Sequence, residues 1–302
     1  MIHYIKRNDL DVEKYNSCIK KAKKGNMFGY SWYLDIACDN WDVLMFDDYT
    51  AVMPIPWRKK FGFSYVYLPF WILQLGVYST QKNVAINPFE VELKKRFRFV
   101  EFYFNEGNFS YQKNVTHTIR AVQKLVIKDS YKDLFSNYRK DRKKDLHKAT
   151  GHKLVRKWND SAINILSLYK KNVGTRLPEI KEKDYNNLEK IITVCIQKKK
   201  AEILSIYSKE NQLLASGLFL KHKKEITILV SSTDFNERKK GANTFLIDSA
   251  IQKYQTKYKT FNFGGSSINS IANYFKSFNA KTSFYNYLKV NNLPWYIKLF
   301  KK

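Results

Sequence analysis

The stretch from residue 225 to residue 290 restricts the fold more than any other part of the chain. It runs as a strand, "ITILVSSTD", a basic loop, "FNERKKGAN", and a helix, "TFLIDSAIQKY". A second strand, "YKTFNF", a small-residue turn, "GGSS", a helix within "INSIANYFKSFNA" and a last strand, "SFYNYLKV", follow. Alternating apolar residues mark the strands, and three- to four-residue spacing marks the helices. Strands that alternate with single helices in this way belong to α/β architectures.

Both strand-to-helix turns use residues that let backbone come close to something else. Gly241 opens a helix beside Arg238, Lys239, Lys240, Ala242 and Asn243, so amide N–H groups, the positive end of the helix dipole and several cations meet at one place. That is the chemistry of a phosphate site, and equally that of a charged loop with a glycine at the helix start. In the second turn Gly264 and Gly265 give conformational freedom, and Ser266 or Ser267 supplies an N-cap. Ile268, Ile271, Ala272, Phe275 and Phe278 then make one apolar face.

The rest of the chain repeats this grammar. Leu10, Val12, Tyr15, Cys18, Ile19 and Ala22 recur at helical spacing and stop at Gly25-Asn26, and Ser31 is placed to cap a short helix through Cys38. A meander follows in "WDVLMF", "YTAVMPIPWRKK" and "FSYVYLP", then a helix over 88–97 opened by Asn87-Pro88, then strands "RFVEFYF" and "THTIRAVQKLVI". Ser130 opens a long basic helix over 131–149, ended by Gly151 and followed by the strand "HKLVRKW". Helices near 161–172 and 184–199 and strands "EILSIYS" and "LLASGLFL" lead into the opening stretch. Two runs of similar order and size indicate a duplicated α/β fold.

With 302 residues the chain suits two domains better than one core. Hydrophobic residues at 44% exclude a disordered chain. Cys18, Cys38 and Cys195 are odd in number and share no ligand spacing, which argues against a disulfide framework or a zinc site, and no metal is expected. The N-terminus has no apolar signal region, and the most apolar stretch, residues 65–78, is too short to span a membrane and contains Pro69. A cytoplasmic protein is expected. The net charge of +27 draws the chain toward polyanions, but only ten of its 54 basic residues are Arg and the lysines are spread along nearly every segment, as on solvated faces.

In their order over the full length, these segments resemble the GNAT acyltransferase superfamily. More narrowly, the chain is similar to the Fem-type peptidoglycan aminoacyltransferases of bacteria, which contain two tandem GNAT-like units. In the first half the resemblance rests on "SWYLDIACDNWDVLMFDDYTAVMPIPWRKKFGFSYVYLPFWILQLGVYS"; in the second it rests on "RKDRKKDLHKA", "RKKGANTFLIDSAI" and "FNFGGSSINSIANYFKSFNA". It implies an α/β (α+β) fold of two units, 1–129 and 130–302, each a mixed, mostly antiparallel sheet flanked by helices, with the donor site in the second.

The resemblance also implies site residues. The strand at "ITILVSSTD" would splay from "YKTFNF" to admit the thiol-bearing arm of acyl-coenzyme A. Backbone N–H groups of Val230, Ser231 and Ser232 would stabilise an oxyanion, and the pyrophosphate would meet Arg238, Lys239, Lys240, Gly241, Ala242 and Asn243. Asn243 departs from the small residue usual at its position, and Asn262 and Gly264 stand where the family usually has carboxylates. Asn279 replaces a helix-ending glycine and tolerates the same left-handed turn. Tyr274 and Tyr285 are the candidate proton donors, with Ser266 a third catalytic candidate. Trp57, Pro69, Phe70, Gln74 and Gly76, with Asn262, Gly264 and Gly265, are the candidates for binding the acceptor in a cleft between the units. Gln74 needs a hydrogen-bond partner if buried.

Two functions follow from these readings. One is N-acyl transfer from acyl-coenzyme A or aminoacyl-tRNA to an amine of a cell-envelope, amino-sugar or lipid-linked acceptor. The sequence has no obvious room for a helical-hairpin insertion, which favours a small thioester donor, while the basic helix 131–149 keeps tRNA open. The other is a non-catalytic binding protein on the same scaffold, holding RNA or an anionic membrane. The tail "NNLPWYIKLFKK", with Trp295, Tyr296, Ile297, Leu299 and Phe300 beside lysines, suits a lipid interface or a packed terminus. The oligomeric state is left open.

Overall fold

A computed structural model describes residues 1–60, 62–81, 84–108, 117–127, 130–265 and 268–295. The chain divides into two compact units, Met1–Arg120 with Phe284–Lys302, and Ala121–Ser283. Residues 121–129, which the sequence groups with the first half, cluster with the second. The C-terminal segment returns to the first.

The first unit opens with a strand that the sequence reading leaves out, β1 (Ile2–Ile5). The helix α1 (Val12–Lys21) starts at Asp11, whose carboxylate accepts the Lys14 N–H at 3.0 Å, and it buries Tyr15, Cys18 and Ile19. The next helix, α2 (Ser31–Ala37), begins one residue earlier than expected. Ser31 is its first residue and not its cap; the Asn16 side chain accepts the Ser31 N–H at 3.1 Å and donates to Ser31 Oγ at 2.8 Å. An amide from α1 thus does the capping that the sequence assigns to Ser31.

The strands β2 (Asn40–Phe46), β3 (Ala51–Lys60) and β4 (Phe63–Val66) form an antiparallel meander with β1 on the outer side of β2, and β5 (Tyr78–Ser79) adds to β3. Residues 67–77, "YLPFWILQLGV", are irregular and hold no strand. The helix α3 (Asn87–Arg96), with a proline in its first turn, leads to β6 (Phe99–Tyr103), which runs parallel to β4 at Val66–Val100.

The strand β7 (His117–Val126) carries the chain into the second unit. The expected long basic helix is two helices, α4 (Tyr131–Ser136) and α5 (Lys140–Gly151). Ser130 caps the first, accepting the Asp133 N–H. Arg139 breaks the run: its backbone is extended and its N–H bonds the Ser277 carbonyl at 2.9 Å instead of continuing the helix. A tertiary hydrogen bond here overrides strong local helix propensity.

Next come β8 (Val155–Trp158), α6 (Ala162–Asn172), α7 (Glu182–Gln197), β9 (Ala201–Tyr207), β10 (Leu213–His222) and β11 (Glu225–Thr233). A short 3-10 turn, Arg238–Lys240, and Gly241 at φ 76° introduce α8 (Ala242–Tyr254). The unit continues with β12 (Thr260–Asn262) and α9 (Asn269–Lys276). Its sheet runs β7-β12-β11-β10-β9-β8, antiparallel except for the parallel β11/β12 pair. Leu204, Phe219, Ile226, Leu246, Ile247, Phe261 and Phe278 belong to one apolar core.

The last strand, β13 (Lys281–Asn291), pairs its residues Tyr287 to Asn291 antiparallel with β6, completing the first unit's sheet. Both units are mixed α/β with mostly antiparallel sheets. Among the described residues no helix is long and apolar enough to cross a membrane.

Candidate functional site

The second unit contains a splayed pair of parallel strands. β11 and β12 pair only from Glu225–Thr260 to Thr227–Asn262. Beyond that point β11 continues to Thr233 with β10 as its one strand neighbour among the described residues, while Phe263 stays with β7 by donating its N–H to the Gln123 carbonyl at 3.0 Å. The register of β11 against β10 also slips here, since Phe219 faces Ile228 and Leu218 faces Val230, leaving Leu229 as an extra residue. A bulge of this kind bends the strand and frees backbone from the ladder. Alternate residues over 229–233 therefore turn N–H and C=O groups toward the side that β12 has left.

At the base of the gap lies a polar strip. Asn262, 7% exposed, uses Oδ1 to accept the Gly264 N–H at 3.0 Å, which fixes the turn, and its amide donates to Glu225 at 2.9 Å. The other Glu225 oxygen accepts from Lys124 Nζ at 2.8 Å. Gly264 and Gly265 both have φ near 80°, a conformation that only glycine adopts at low cost. A side chain at Gly265 would press on the Ala121 carbonyl and Val122.

The N-terminus of α8 is enclosed by other groups. A side chain at Gly241 would run into the backbone carbonyl of Asp145 in α5. Arg142, 9% exposed, donates through Nη1 to Thr244 Oγ1 at 2.8 Å and pairs with the Asp145 carboxylate at 3.0 Å. Its guanidinium also lies 4.5 Å from the centre of the Tyr274 ring of α9. The Tyr274 hydroxyl meets Asn243 Nδ2 at 3.1 Å and Thr244 Oγ1 at 3.2 Å, and burial holds its phenol above the usual range. Arg238 stacks on Phe235 at 3.7 Å, Lys240 pairs with Glu237 at 2.8 Å, and Lys239 is exposed.

Tyr285 belongs to the first unit, edge-on to Tyr103 at 5.8 Å, with its phenol pushed up to about 12 by burial. Ser266, like Tyr296, Ile297, Leu299 and Phe300, lies outside the described residues.

The acceptor candidates of the first unit occupy two places. Trp57 Nε1 donates to Asp42 Oδ2 at 2.7 Å, and the two line a cavity of about 530 Å3 that none of Pro69, Phe70, Gln74 and Gly76 reaches. Gln74 does find a partner, accepting the Glu106 N–H at 3.3 Å. Around it Asn26 donates to Asn105 at 2.6 Å and Asn108 accepts the Val77 N–H at 2.8 Å. Gly76, at φ 154°, lies against Asn105 and Asn108, where a side chain has no room. Pro69 accepts the Ile72 N–H at 3.2 Å, and Phe70 is 39% exposed.

Three residues that the sequence reading passes over shape the second unit's site: Glu225, Lys124 and Arg142. Arg142 stood inside a quoted basic motif, and its burial depends on the break at Arg139. The pairing of Glu225 and Lys124 joins residues 101 positions apart and has no local signal.

No family model matches the chain, and no curated protein matches it in sequence. Solved structures do. FemX superposes with a TM-score of 0.64 at 11% identity, over 97% of this chain and 99% of that one. The structure of L-PGS from Bacillus licheniformis gives 0.56 at 13% identity, covering 96% and 95%. A tandem GNAT protein from the clavulanic acid biosynthesis pathway gives 0.53 at 8% identity, covering 97% and 99%. The chain has a GNAT-like fold of the Fem type, and the sequence-based expectation of that fold holds.

Proposed function

We propose that the chain is an N-acyltransferase, moving an acyl or aminoacyl group from a thioester or an aminoacyl ester to an amine. The observation that carries this reading is the open edge of β11 over 229–233, bulged at Leu229 where β12 leaves it. The FemX, L-PGS and tandem GNAT likenesses support acyl transfer in general.

In the proposed reaction the neutral amine attacks the acyl carbonyl carbon. The N–C bond forms, the carbonyl C–S or C–O bond to the carrier breaks, and the proton shed by nitrogen ends on the leaving group. Backbone N–H groups in the gap face the carbonyl oxygen as negative charge develops on it, where fixed donors lower the barrier most. Glu225 provides a carboxylate beside Asn262, close to where a family carboxylate would stand, and it holds or deprotonates the acceptor ammonium. A cell-envelope or lipid-linked amine is the proposed acceptor class, and coenzyme A and tRNA are the two carriers in question.

The test is transfer itself. Purified protein is incubated with acyl thioesters or with aminoacyl-tRNA and a panel of amines, including aminoacylated lipid and muropeptide acceptors, and amide products are sought by mass spectrometry. Product that depends on Glu225 is expected. Absence of product from every donor, with intact fold, would sink the reading in favour of a binding protein.

A further inference from the structure

The groove between α8 and α9 is filled by α5. Arg139 N–H bonds the Ser277 carbonyl at the end of α9, and Arg142 spans from Thr244 of α8 to the Tyr274 and Phe278 rings. Tyr138 stacks edge-on against Phe278 at 5.2 Å, and Leu146 joins the same core. The Asp145 carbonyl stands against Gly241, and the Asp145 carboxylate accepts from Thr244 Oγ1 at 3.3 Å. The Asp145 carboxylate, an anion that belongs to the protein, therefore stands one hydrogen bond from the Thr244 hydroxyl in the first turn of α8.

Five of the cations around it are also committed, and Lys239 is exposed. Arg142 pairs with Asp145 and Asp141, Arg139 pairs with Asp141 at 2.6 Å, and Lys148 pairs with Asp145 at 3.5 Å. Arg238 and Lys240 are turned onto Phe235 and Glu237. A diphosphate arriving here would meet a backbone carbonyl in place of space and a carboxylate in place of an unpaired cation.

We infer that α5, through Asp145 and Arg142, is a built-in plug that excludes a diphosphate from the N-terminus of α8. Donor recognition then depends on the acyl end and its immediate carrier group entering beside β11, without help from an adenosine diphosphate moiety. Asp145 and Arg142 are specificity-determining residues. The inference rests on the proposed transferase reading for its meaning, yet it is tested by binding alone, so that failed transfer and failed exclusion are separate results.

Calorimetry on the native protein compares coenzyme A with pantetheine, which has the same thiol arm and no diphosphate. Affinities within about threefold of each other, or no binding by either, are expected. A second arm uses the double variant Asp141→Ser with Asp145→Ser, which releases Arg139, Arg142 and Lys148, and a tenfold or greater gain in affinity for coenzyme A is expected. Native binding of coenzyme A at least tenfold tighter than pantetheine, and lost in Arg238→Ala with Lys240→Ala, would overturn the plug. A folded double variant with no gain would overturn the part given to the two carboxylates. The native comparison decides the matter if that variant does not fold.

Discussion

The Asn262 amide donates to the Glu225 carboxylate across 2.9 Å, so residues at the two ends of the short paired stretch of β11 and β12 share one hydrogen bond. An amide has taken the place expected for a carboxylate and points at a carboxylate contributed by β11. A carboxylate therefore stands beside Asn262, supplied from another strand.

Glu225→Gln is therefore expected to lower kcat/KM for transfer by about a hundredfold, the usual scale for a general acid or base. Stability should fall by only about 1 kcal/mol, because Lys124 and Glu225 are partly exposed. Steady-state kinetics and a thermal melt on the same preparation check both. A variant that melts normally and retains full kcat/KM would remove Glu225 from the mechanism.

Gln123 gives a prediction about stability. Its side chain is fully buried on β7, opposite Phe263, and among the described residues neither amide atom has a partner. Replacing an unsatisfied buried amide with an apolar group of similar size removes a desolvation cost, so Gln123→Leu should stabilise the protein by about 1–2 kcal/mol. Denaturant unfolding measures this, and a loss of stability would show that the amide is satisfied in solution.

Acid sensitivity should be traceable to Glu202. Burial alone would raise its carboxyl, but hydrogen bonds from Lys221, Lys253 and Tyr254 outweigh burial and hold it at about 2. A depressed folded value means that the contribution is complete above the unfolded value near 4.5 and is lost as pH falls from there toward 2. The melting temperature of native protein should drop between pH 5 and pH 3 more than that of Glu202→Gln. Parallel pH profiles for the two would contradict this.

Gly76 tests the amide cluster of the first unit. With φ at 154° and Asn105 and Asn108 against it, Gly76→Ala should destabilise by about 2 kcal/mol. Gly62, also at positive φ but with open space around it, should lose only about 1 kcal/mol on the same change. Equal losses at the two positions would mean that backbone conformation alone decides.

Periodicity located nearly every helix and strand of the second unit because their apolar faces pack locally. It failed where a distant group decides. Nothing around Arg139 announces a break, since the competing acceptor, the Ser277 carbonyl, is far along the chain. Asn16 capping Ser31 is a case of the same kind. Residues 67–77 mislead in the other direction: they are apolar enough for a strand, yet the side-chain amides of Asn26 and Gln74 take backbone bonds that a ladder would otherwise hold. The splay was implied by the family pattern, and the β-bulge that accompanies it leaves no mark on the alternation of "ITILVSS".

The return of the chain through β13 has a kinetic consequence. β6 is synthesised long before its partner, since Tyr103 must wait for Tyr287. At ordinary elongation rates that delay is on the order of ten seconds or more. During it one side of β6 lacks its partner, an edge open to wrong pairing. The residues of the second unit, Ala121–Ser283, are made in that interval. The first unit, begun first on the ribosome, should thus be completed only after the whole of the second has been made.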